Sequence, residues 1–226
     1  MNNKNELKKL RLAAEQGNVN AQWELGSAYE EGDGVEQNCA EAARWYRMAA
    51  EQGDAISQDS LGQLYYDGRG VGQDYAEAAN WFQKAADQNE PFGLYHLGLM
   101  YYYGDGIEED YTKALKLFLK STEPILIDGE EHQVYVGNVV NRIAFMYSHG
   151  QGTSQDYAEA AKWYRKTADH DPEAMFQLAH LYDDGKGVEQ DSEEAMNLYR
   201  NAAELGHVNA QFNMGCILLD KEEYNV

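Results

Sequence analysis

Histidine, cysteine and acidic side chains are the residues with which this chain could catalyse a reaction or bind a metal. The sequence has 6 His and 2 Cys. No two histidines stand in the His-Glu-x-x-His pattern, which places two zinc ligands and a general base on one helix. Neither Cys39 nor Cys216 belongs to a Cys-x-x-Cys pair. The sequence therefore predicts that the protein is not an enzyme and has no catalytic residue, metal or cofactor.

Two kinds of loop have a composition that could bind ions. Acidic segments such as residues 30–34 contain the residue types of calcium loops, but they lack the alternating carboxylates and the terminal glutamate of that motif. Glycine pairs could cradle a phosphate, yet phosphate loops follow a strand and open a helix, whereas these pairs follow a helical pattern. We therefore interpret the pairs as turns. They are Gly32/Gly34, Gly68/Gly70, Gly104/Gly106, Gly150/Gly152 and Gly185/Gly187.

The charge of the chain limits its partners. The formal net charge is −21, from 39 Asp and Glu against 18 Lys and Arg. This balance argues against nucleic acid, which is bound by cations that meet phosphates, and against anionic membrane surfaces. An acidic surface favours a basic partner or serves solubility alone.

The N-terminal sequence passes directly into Lys8, Lys9 and Arg11 without an apolar segment, and no apolar run is long enough to cross a membrane. The two cysteines lie in non-equivalent places, which is typical of reduced thiols. We therefore expect a cytoplasmic protein, although a removed signal peptide would leave the same sequence.

One sequence motif recurs along the chain and defines its repeats. Leu25-Gly26 returns as Leu61-Gly62 and Leu97-Gly98, each time after 36 residues. Related pairs follow after 46, 35 and 36 residues, at Ile143-Ala144, Leu178-Ala179 and Met214-Gly215. A fixed period of this size is the signature of a helical solenoid.

Each repeat contains the pattern of two helices. In the first helix, Ala21, Leu25, Ala28 and Tyr29 form one apolar stripe, and the small residue after each anchor indicates close approach of a neighbouring helix. The second helix pairs small residues with aromatic ones, which is typical of an interlocked core rather than a cofactor site. Its expected N-caps are Asn38, Asp74, Asp110, Asp156 and Asp191. The sequence predicts an all-α chain of antiparallel helix pairs with about 36 residues per repeat.

The expected organisation is a single solenoid domain over residues 1–226. An N-terminal half-repeat at 5–17 precedes repeats at 18–53, 54–89, 90–122, 131–170 and 171–206, and a truncated repeat at 207–226 ends the chain. An insertion near residues 123–137 contains a turn signal at Asp128-Gly129. It is either a short hairpin or a loop leading into a lengthened helix near 131–148, and we favour the helix. At the C-terminal end, either the tail folds back as a cap or the chain self-associates there.

The repeated pattern Ala-x3-Leu-Gly-x2-Tyr-x2-Gly-x-Gly-Val, followed by Asp-x2-Glu-Ala-x2-Trp-Tyr-x-Lys-Ala-Ala, resembles the Sel-one-like repeat family, which is related to tetratricopeptide repeats. The departures are Ala144 and Ala179 in place of glycine, the insertion and the truncated last repeat. The resemblance implies a right-handed α/α superhelix that serves as an adaptor or scaffold. Some cysteine-rich secreted members of the family have a disulfide in each repeat, and this sequence lacks those cysteines.

The resemblance also implies that the first helices line a concave surface, which would be the binding site. Its middle would be aromatic and its flanks acidic, which suits a protein or peptide that is basic or mixed basic and aromatic. The alternative is that Tyr102 or Tyr103 packs against a neighbouring helix. The expected binding residues are Trp23, Glu30 and Glu31, then Asp59, Tyr66 and Asp67, then Phe92, Tyr95, Leu99, Tyr102 and Tyr103, then Asn141, Phe145 and His149, and finally Phe176 and His180.

Two functions follow from this surface. The first is a non-catalytic adaptor or scaffold that holds a protein or peptide. The second is an acidic inhibitor of the immunity type, which neutralises a basic partner such as a nuclease-like toxin.

Overall fold

The computed structural model describes residues 3–127, 130–133 and 138–223, and it describes side chains within these ranges except at residues 3–4, 126–127 and 217–223. These ranges contain twelve helices and two short strands, so the predicted all-α fold of repeated helix pairs is confirmed. The helices are α1 Asn3–Glu15, α2 Val19–Glu31, α3 Cys39–Glu51, α4 Ala55–Asp67, α5 Tyr75–Asp87, α6 Pro91–Tyr103, α7 Tyr111–Ser121, α8 Val139–His149, α9 Tyr157–Arg165, α10 Pro172–Asp184, α11 Ser192–Glu204 and α12 Val208–Glu223.

Caps and turns fix where each helix begins and ends. All five predicted N-caps of the second helices accept backbone N–H groups; the carboxylate of Asp74, for example, accepts from Ala76 and Glu77. Gly68 ends α4 in the left-handed conformation, with a φ of 70°. A Cβ on Gly70 would lie 2.2 Å from the carbonyl carbon of Cys39. The glycine pairs are therefore turns, and the second glycine lets the turn lie against the preceding repeat.

The glycine after the anchor of each of the first three repeats makes room for a ring of the second helix. A Cβ on Gly62 would lie 2.6 Å from Phe82, and Gly26 and Gly98 would meet Tyr46 and Phe118 at the same distance. The predicted close approach of the two helices is thus confirmed. It explains why a residue that costs about 1 kcal/mol in a helix interior recurs at this position.

A series of buried glutamines joins successive repeats and was not predicted. Gln22 donates to the carbonyl of Ala14, 3.0 Å away, and accepts from Gln52 at 2.7 Å. One repeat later, Gln58 donates to the carbonyl of Ala50, and Gln88 donates to Gln58. These bonds add a side-chain donor to carbonyl groups at the ends of the preceding helices, which also accept the backbone N–H groups of Gly17 and Gly53.

The insertion is a hairpin, so the lengthened helix that we favoured is wrong. Strand β1, Ile125–Ile127, pairs antiparallel with β2, Glu130–His132, and helix α8 begins only at Val139. Apolar residues of β1 suit a paired strand, and Gln133 donates to the carbonyl of Thr122, which ties the hairpin to the end of α7. The expected turn at residues 128–129 lies outside the described residues.

The chain divides into two compact units, residues 1–136 and 137–226. The first unit contains α1 to α7 and the hairpin, and its core includes Leu25, Leu61 and Leu97. The second contains α8 to α12, with Ile143 and Leu178 in its core. The single solenoid domain over residues 1–226 stays a prediction.

Candidate functional site

Helix α6, in the first unit, differs from the other first helices because it has no charged side chain. Leu94, Leu97 and Met100 are buried in the core. A helix that is apolar on its remaining face as well is typical of a buried or partner-bound element. We call that remaining face, formed by Phe92, Tyr95, Leu99, Tyr102 and Tyr103, the α6 face.

The α6 face is only partly covered by its own unit. Phe92 is 47% exposed and Tyr103 is 55% exposed. Tyr95 and Tyr102 are half-buried, with ring centroids 5.9 Å and 6.4 Å from that of Phe118 on α7. Tyr95 and Tyr102 therefore pack against a neighbouring helix and anchor the face. Phe92 and Tyr103 form its accessible edge.

A cavity of about 230 Å³ adjoins this face, between α4 and α6. We call it the α4–α6 cavity; it is lined by Gln63, Tyr66, Asp67, Phe82, His96 and Leu99. The ring of Phe82 is buried and stacks on His96, with centroids 5.1 Å apart. The cavity therefore combines aromatic and aliphatic walls with a few polar atoms, which is the usual character of a binding pocket.

Asp59 orients two of the polar side chains of this cavity. It is only 4% exposed, so it does not face a partner as predicted. Its Oδ1 lies 2.7 Å from His96 Nδ1, and its Oδ2 accepts from Gln63 Nε2 at 2.8 Å. Because a carboxylate only accepts hydrogen bonds, both nitrogens must carry the shared protons.

The predicted acidic flank is partly used within the fold. Glu30 accepts from the hydroxyl of Tyr46 at 2.8 Å and pairs with Arg69 at 2.9 Å. Burial first, and then this hydrogen bond, raise the pKa of Tyr46 well above its usual value. Tyr66 likewise donates to Asp105 at 2.6 Å, and burial followed by this bond raises its pKa. These residues connect consecutive repeats, whereas Asp67 is exposed beside Arg69.

Trp23 and Glu31 line a separate cavity of about 400 Å³ in the first unit, near α1. Its other acidic members, Glu6, Glu24 and Asp33, are exposed to solvent, as is Glu31. Solvated carboxylates around a tryptophan are common at protein surfaces. This cavity is therefore a weaker candidate than the one beside α6.

In the second unit the predicted residues separate into buried and exposed groups. Asn141 is buried and donates to Asp171 at 2.8 Å. Phe176 is also buried, and His180 shares a hydrogen bond of 2.9 Å with the hydroxyl of Tyr199. Phe145 and His149 are exposed and stack with centroids 3.9 Å apart.

Two further kinds of feature, a metal site and a membrane-spanning helix, are absent from the described ranges. There, no three His, Cys, Asp or Glu side chains are arranged to hold a metal ion. Among the same residues, no helix has both the length and the hydropathy that a bilayer crossing requires. Helix α12 exposes Val208 and Phe212, and the side chains of residues 217–219 lie outside the described residues.

The repeats themselves identify the family. A family model described as the Sel1 repeat matches residues 19–54, 55–90, 91–123, 140–171 and 172–207, which is more than half of the chain. The chain belongs to the Sel1 repeat family. The resemblance seen in the sequence is thereby confirmed, and Sel1 repeat proteins are generally non-catalytic scaffolds for protein interactions.

Solved structures of Sel1 repeat proteins agree with this assignment. A protective antigen present in uropathogenic Escherichia coli strains, displaying an SLR fold, is 38% identical with a TM-score of 0.83; the match covers 94% of this chain and 44% of the antigen. This chain thus spans less than half of that relative. A Sel1 repeat protein from Oxalobacter formigenes is 31% identical, with a TM-score of 0.74 and coverage of 86% of this chain and 76% of that one. None of the curated proteins matches the chain.

An immunity protein from Pseudomonas aeruginosa is also similar, at 19% identity and a TM-score of 0.48, over 85% of this chain and 67% of that one. So low a score carries no argument about function. The inhibitor alternative therefore rests on the acidity of the sequence alone.

Two residues of the α4–α6 cavity were missed by sequence reasoning. His96 stands one position before the anchor Leu97, outside the positions that the Sel1 repeat resemblance placed inward, and Phe82 belongs to a second helix. The signal that could have found His96 is its position beside Asp59 of the preceding repeat, which only a comparison of neighbouring first helices reveals.

Proposed function

We propose that this Sel1 repeat chain is a non-catalytic adaptor or scaffold that binds a protein or peptide through the α6 face. The observation that carries this proposal is the uncharged helix α6, with Phe92 and Tyr103 exposed, in a chain of net charge −21. Aromatic side chains at a protein surface supply much of the binding energy when a partner covers them.

The charge around the face favours a basic or mixed basic and aromatic partner. Asp67 and Asp105 lie beside the cavity, and Glu90 caps the start of α6. Opposite charges on a partner would accelerate encounter and fix its register, while the rings would supply apolar contact. The cytoplasmic location and self-association through the C-terminal end stay predictions.

An inhibitor would also bind a basic partner through acidic residues, but it would have a different effect on that partner. An acidic immunity-type protein would bind a basic toxin tightly and abolish its activity, whereas an adaptor would leave its partner active. The two are separated by assaying the activity of the partner in the complex.

Selection from a random peptide library tests the proposal while leaving the identity of the partner open. Twelve-residue peptides displayed on phage are selected against the immobilised chain and, in parallel, against a Phe92→Ala/Tyr103→Ala double variant. We expect the selected peptides to be enriched in Arg, Lys and aromatic residues for the unaltered chain, and to lose this enrichment with the double variant. Failure to select any peptide, or the same peptides from both proteins, would contradict the proposal.

A further inference from the structure

We infer that the α4–α6 cavity recognises one arginine side chain of the partner. This inference rests on the proposed function, because it names the chemical group of the partner that one part of the same site would bind. The partner group is a guanidinium, which is planar, carries five N–H donors and has no acceptor.

The first reason is the hydrogen-bonding capacity that Asp59 leaves in the cavity. Asp59 accepts one of the two N–H groups of Gln63 Nε2 and the Nδ1–H of His96, at 2.8 Å and 2.7 Å. In neutral His96 the second ring nitrogen, Nε2, is then an acceptor, and Gln63 Oε1 is an acceptor in any state. Among the described residues, neither atom has a hydrogen-bond partner. These two acceptors fit a ligand group that carries several donors.

The second reason is the shape of the walls. Phe82, Tyr66 and Leu99 present rings and an aliphatic side chain to the cavity. The hydroxyl of Tyr66 is already committed to Asp105, so this tyrosine contributes its ring rather than a donor. A guanidinium is weakly hydrated and stacks on aromatic faces, whereas an ammonium group is compact and strongly hydrated. The walls therefore favour arginine over lysine.

The third reason is the local charge. The carboxylates of Asp59, Asp67 and Asp105 lie in or next to the walls, and Arg69 is the cation paired with Asp67. Arg69 is also shared with Glu30, so its charge is divided between two carboxylates. A cation in the cavity is therefore attracted by a net negative charge, whereas a neutral ligand of the same shape is not.

The combination occurs once in the chain. The positions equivalent to Asp59 in the other repeats are Trp23, Tyr95, Asn141, Phe176 and Phe212. Those equivalent to His96 are Glu24, Ser60, Arg142, Gln177 and Asn213. Repetition of the Sel1 framework therefore does not by itself produce this pair. A single specialised position among stacked repeats is what recognition of one partner residue requires.

The test is a titration of the full chain with N-acetyl-arginine N-methylamide, followed by NMR of the Leu99 methyl groups and the His96 ring. The matched ligand is the citrulline analogue, which has nearly the same shape but no charge. We expect saturable shifts at Leu99 and His96 with the arginine compound and at least about tenfold weaker binding of the citrulline compound, because hydrogen bonds to charged groups are the stronger ones. Absence of shifts with arginine, or equal binding of both compounds, would overturn the inference.

Two variants test whether the arginine compound binds in the α4–α6 cavity. Gln63→Leu removes one acceptor, and Leu99→Trp fills the space without touching Asp59. Gln177→Leu is the matched control, because Gln177 donates to Glu173 one turn earlier, at 2.8 Å, just as Gln63 donates to Asp59. We expect about tenfold weaker arginine binding in Gln63→Leu, loss in Leu99→Trp and no change in the control. Unchanged binding in both cavity variants would place the arginine elsewhere and refute the inference.

The peptide selection and the arginine titration test the adaptor function and the arginine subsite separately. If peptides bind the α6 face but the arginine compound does not bind, the adaptor function stands and the arginine subsite is wrong. If the arginine compound binds the cavity but no peptide is selected, the subsite stands and the proposed function fails.

Discussion

Asp59 on α4 and His96 on α6 share a hydrogen bond of 2.7 Å between Oδ1 and Nδ1, and this bond joins two consecutive repeats at the wall of a cavity. The same carboxylate holds Gln63. A buried side chain that was expected to face a partner is thus the residue that positions two of the groups lining the cavity.

Asp59→Ala should destabilise the first unit, because it leaves the donors of Gln63 and His96 without their buried acceptor. Hydrogen bonds to a charged group are each worth about 1.5–3 kcal/mol, and the loss of two should lower the free energy of unfolding by at least about 3 kcal/mol. Urea denaturation followed by circular dichroism measures it. Asp67→Ala, at an exposed ion pair, is the control and should change stability by less than about 0.5 kcal/mol. Equal effects of the two substitutions would argue against the orienting role.

Gln58→Leu should weaken the joint between the first two full repeats. The substitution removes the bonds from Gln58 to the Ala50 carbonyl and from Gln88 to Gln58, and a hydrogen bond of this kind is worth about 0.5–1.5 kcal/mol. The Ala50 carbonyl keeps the Gly53 N–H, and Gln88 keeps its bond to the Gly53 carbonyl. The comparison is Gln83→Leu, because Gln83 lies exposed on α5 and donates to Asp87. Thermal unfolding of both variants decides the matter: a midpoint lowered equally in both would show that the buried glutamines contribute nothing specific.

Gly62→Ala and Gly215→Ala should change stability in opposite directions, although both positions follow the anchor of a first helix. The new Cβ at residue 62 would lie 2.6 Å from Phe82, and overpacking of this kind costs about 1–3 kcal/mol. At residue 215 no atom lies within 4 Å among the described residues, so the gain in helix propensity, up to about 1 kcal/mol, should dominate. Denaturant titration of each variant provides the comparison, and destabilisation of both by the same amount would contradict the packing explanation.

The stability of α6 should depend on pH through Glu90. Burial first, and then the charge of Asp59, raise the pKa of Glu90, although the Gly93 N–H lowers it. Because the folded chain holds this proton more tightly than the unfolded chain, the contribution of Glu90 to stability decreases as the pH rises from the unfolded pKa, about 4.3, through the raised folded value. Glu90→Gln keeps an acceptor for Gly93 and removes the charge.

Glu90→Gln should therefore be more stable than the unaltered chain at pH 7, and this advantage should disappear below about pH 4, where Glu90 is protonated in both states. Unfolding free energies at several pH values measure the difference. A difference that stays constant from pH 4 to pH 7 would show that the titration of Glu90 is not coupled to folding.

The repeated elements could be predicted from the sequence because they use local signals. Anchor, small residue, cap and glycine pair each recur at a fixed spacing, and each has one physical reason to be there. The hairpin after α7 was mispredicted, because a short apolar run beside a turn signal is compatible with either a strand or a loop before a helix.

The candidate site could be predicted only in part. Phe92 and Tyr103 are exposed as the helical register suggests, but Asp59, Asn141 and Phe176 occupy equivalent inward positions and are buried. Their burial depends on neighbours from adjacent repeats, such as His96 for Asp59 and Asp171 for Asn141. Register along one helix cannot reveal contacts that the next repeat supplies.

The most direct test of the adaptor function is the affinity of a selected basic and aromatic peptide, measured by fluorescence anisotropy. We expect the Phe92→Ala/Tyr103→Ala variant to bind at least about tenfold more weakly, because surface aromatic anchors often contribute more than 1 kcal/mol each. The control is Phe212→Ala, which removes a side chain that is 71% exposed in the second unit and should leave the affinity unchanged. Equal affinity of all three proteins, with unchanged helical content, would contradict binding through the α6 face.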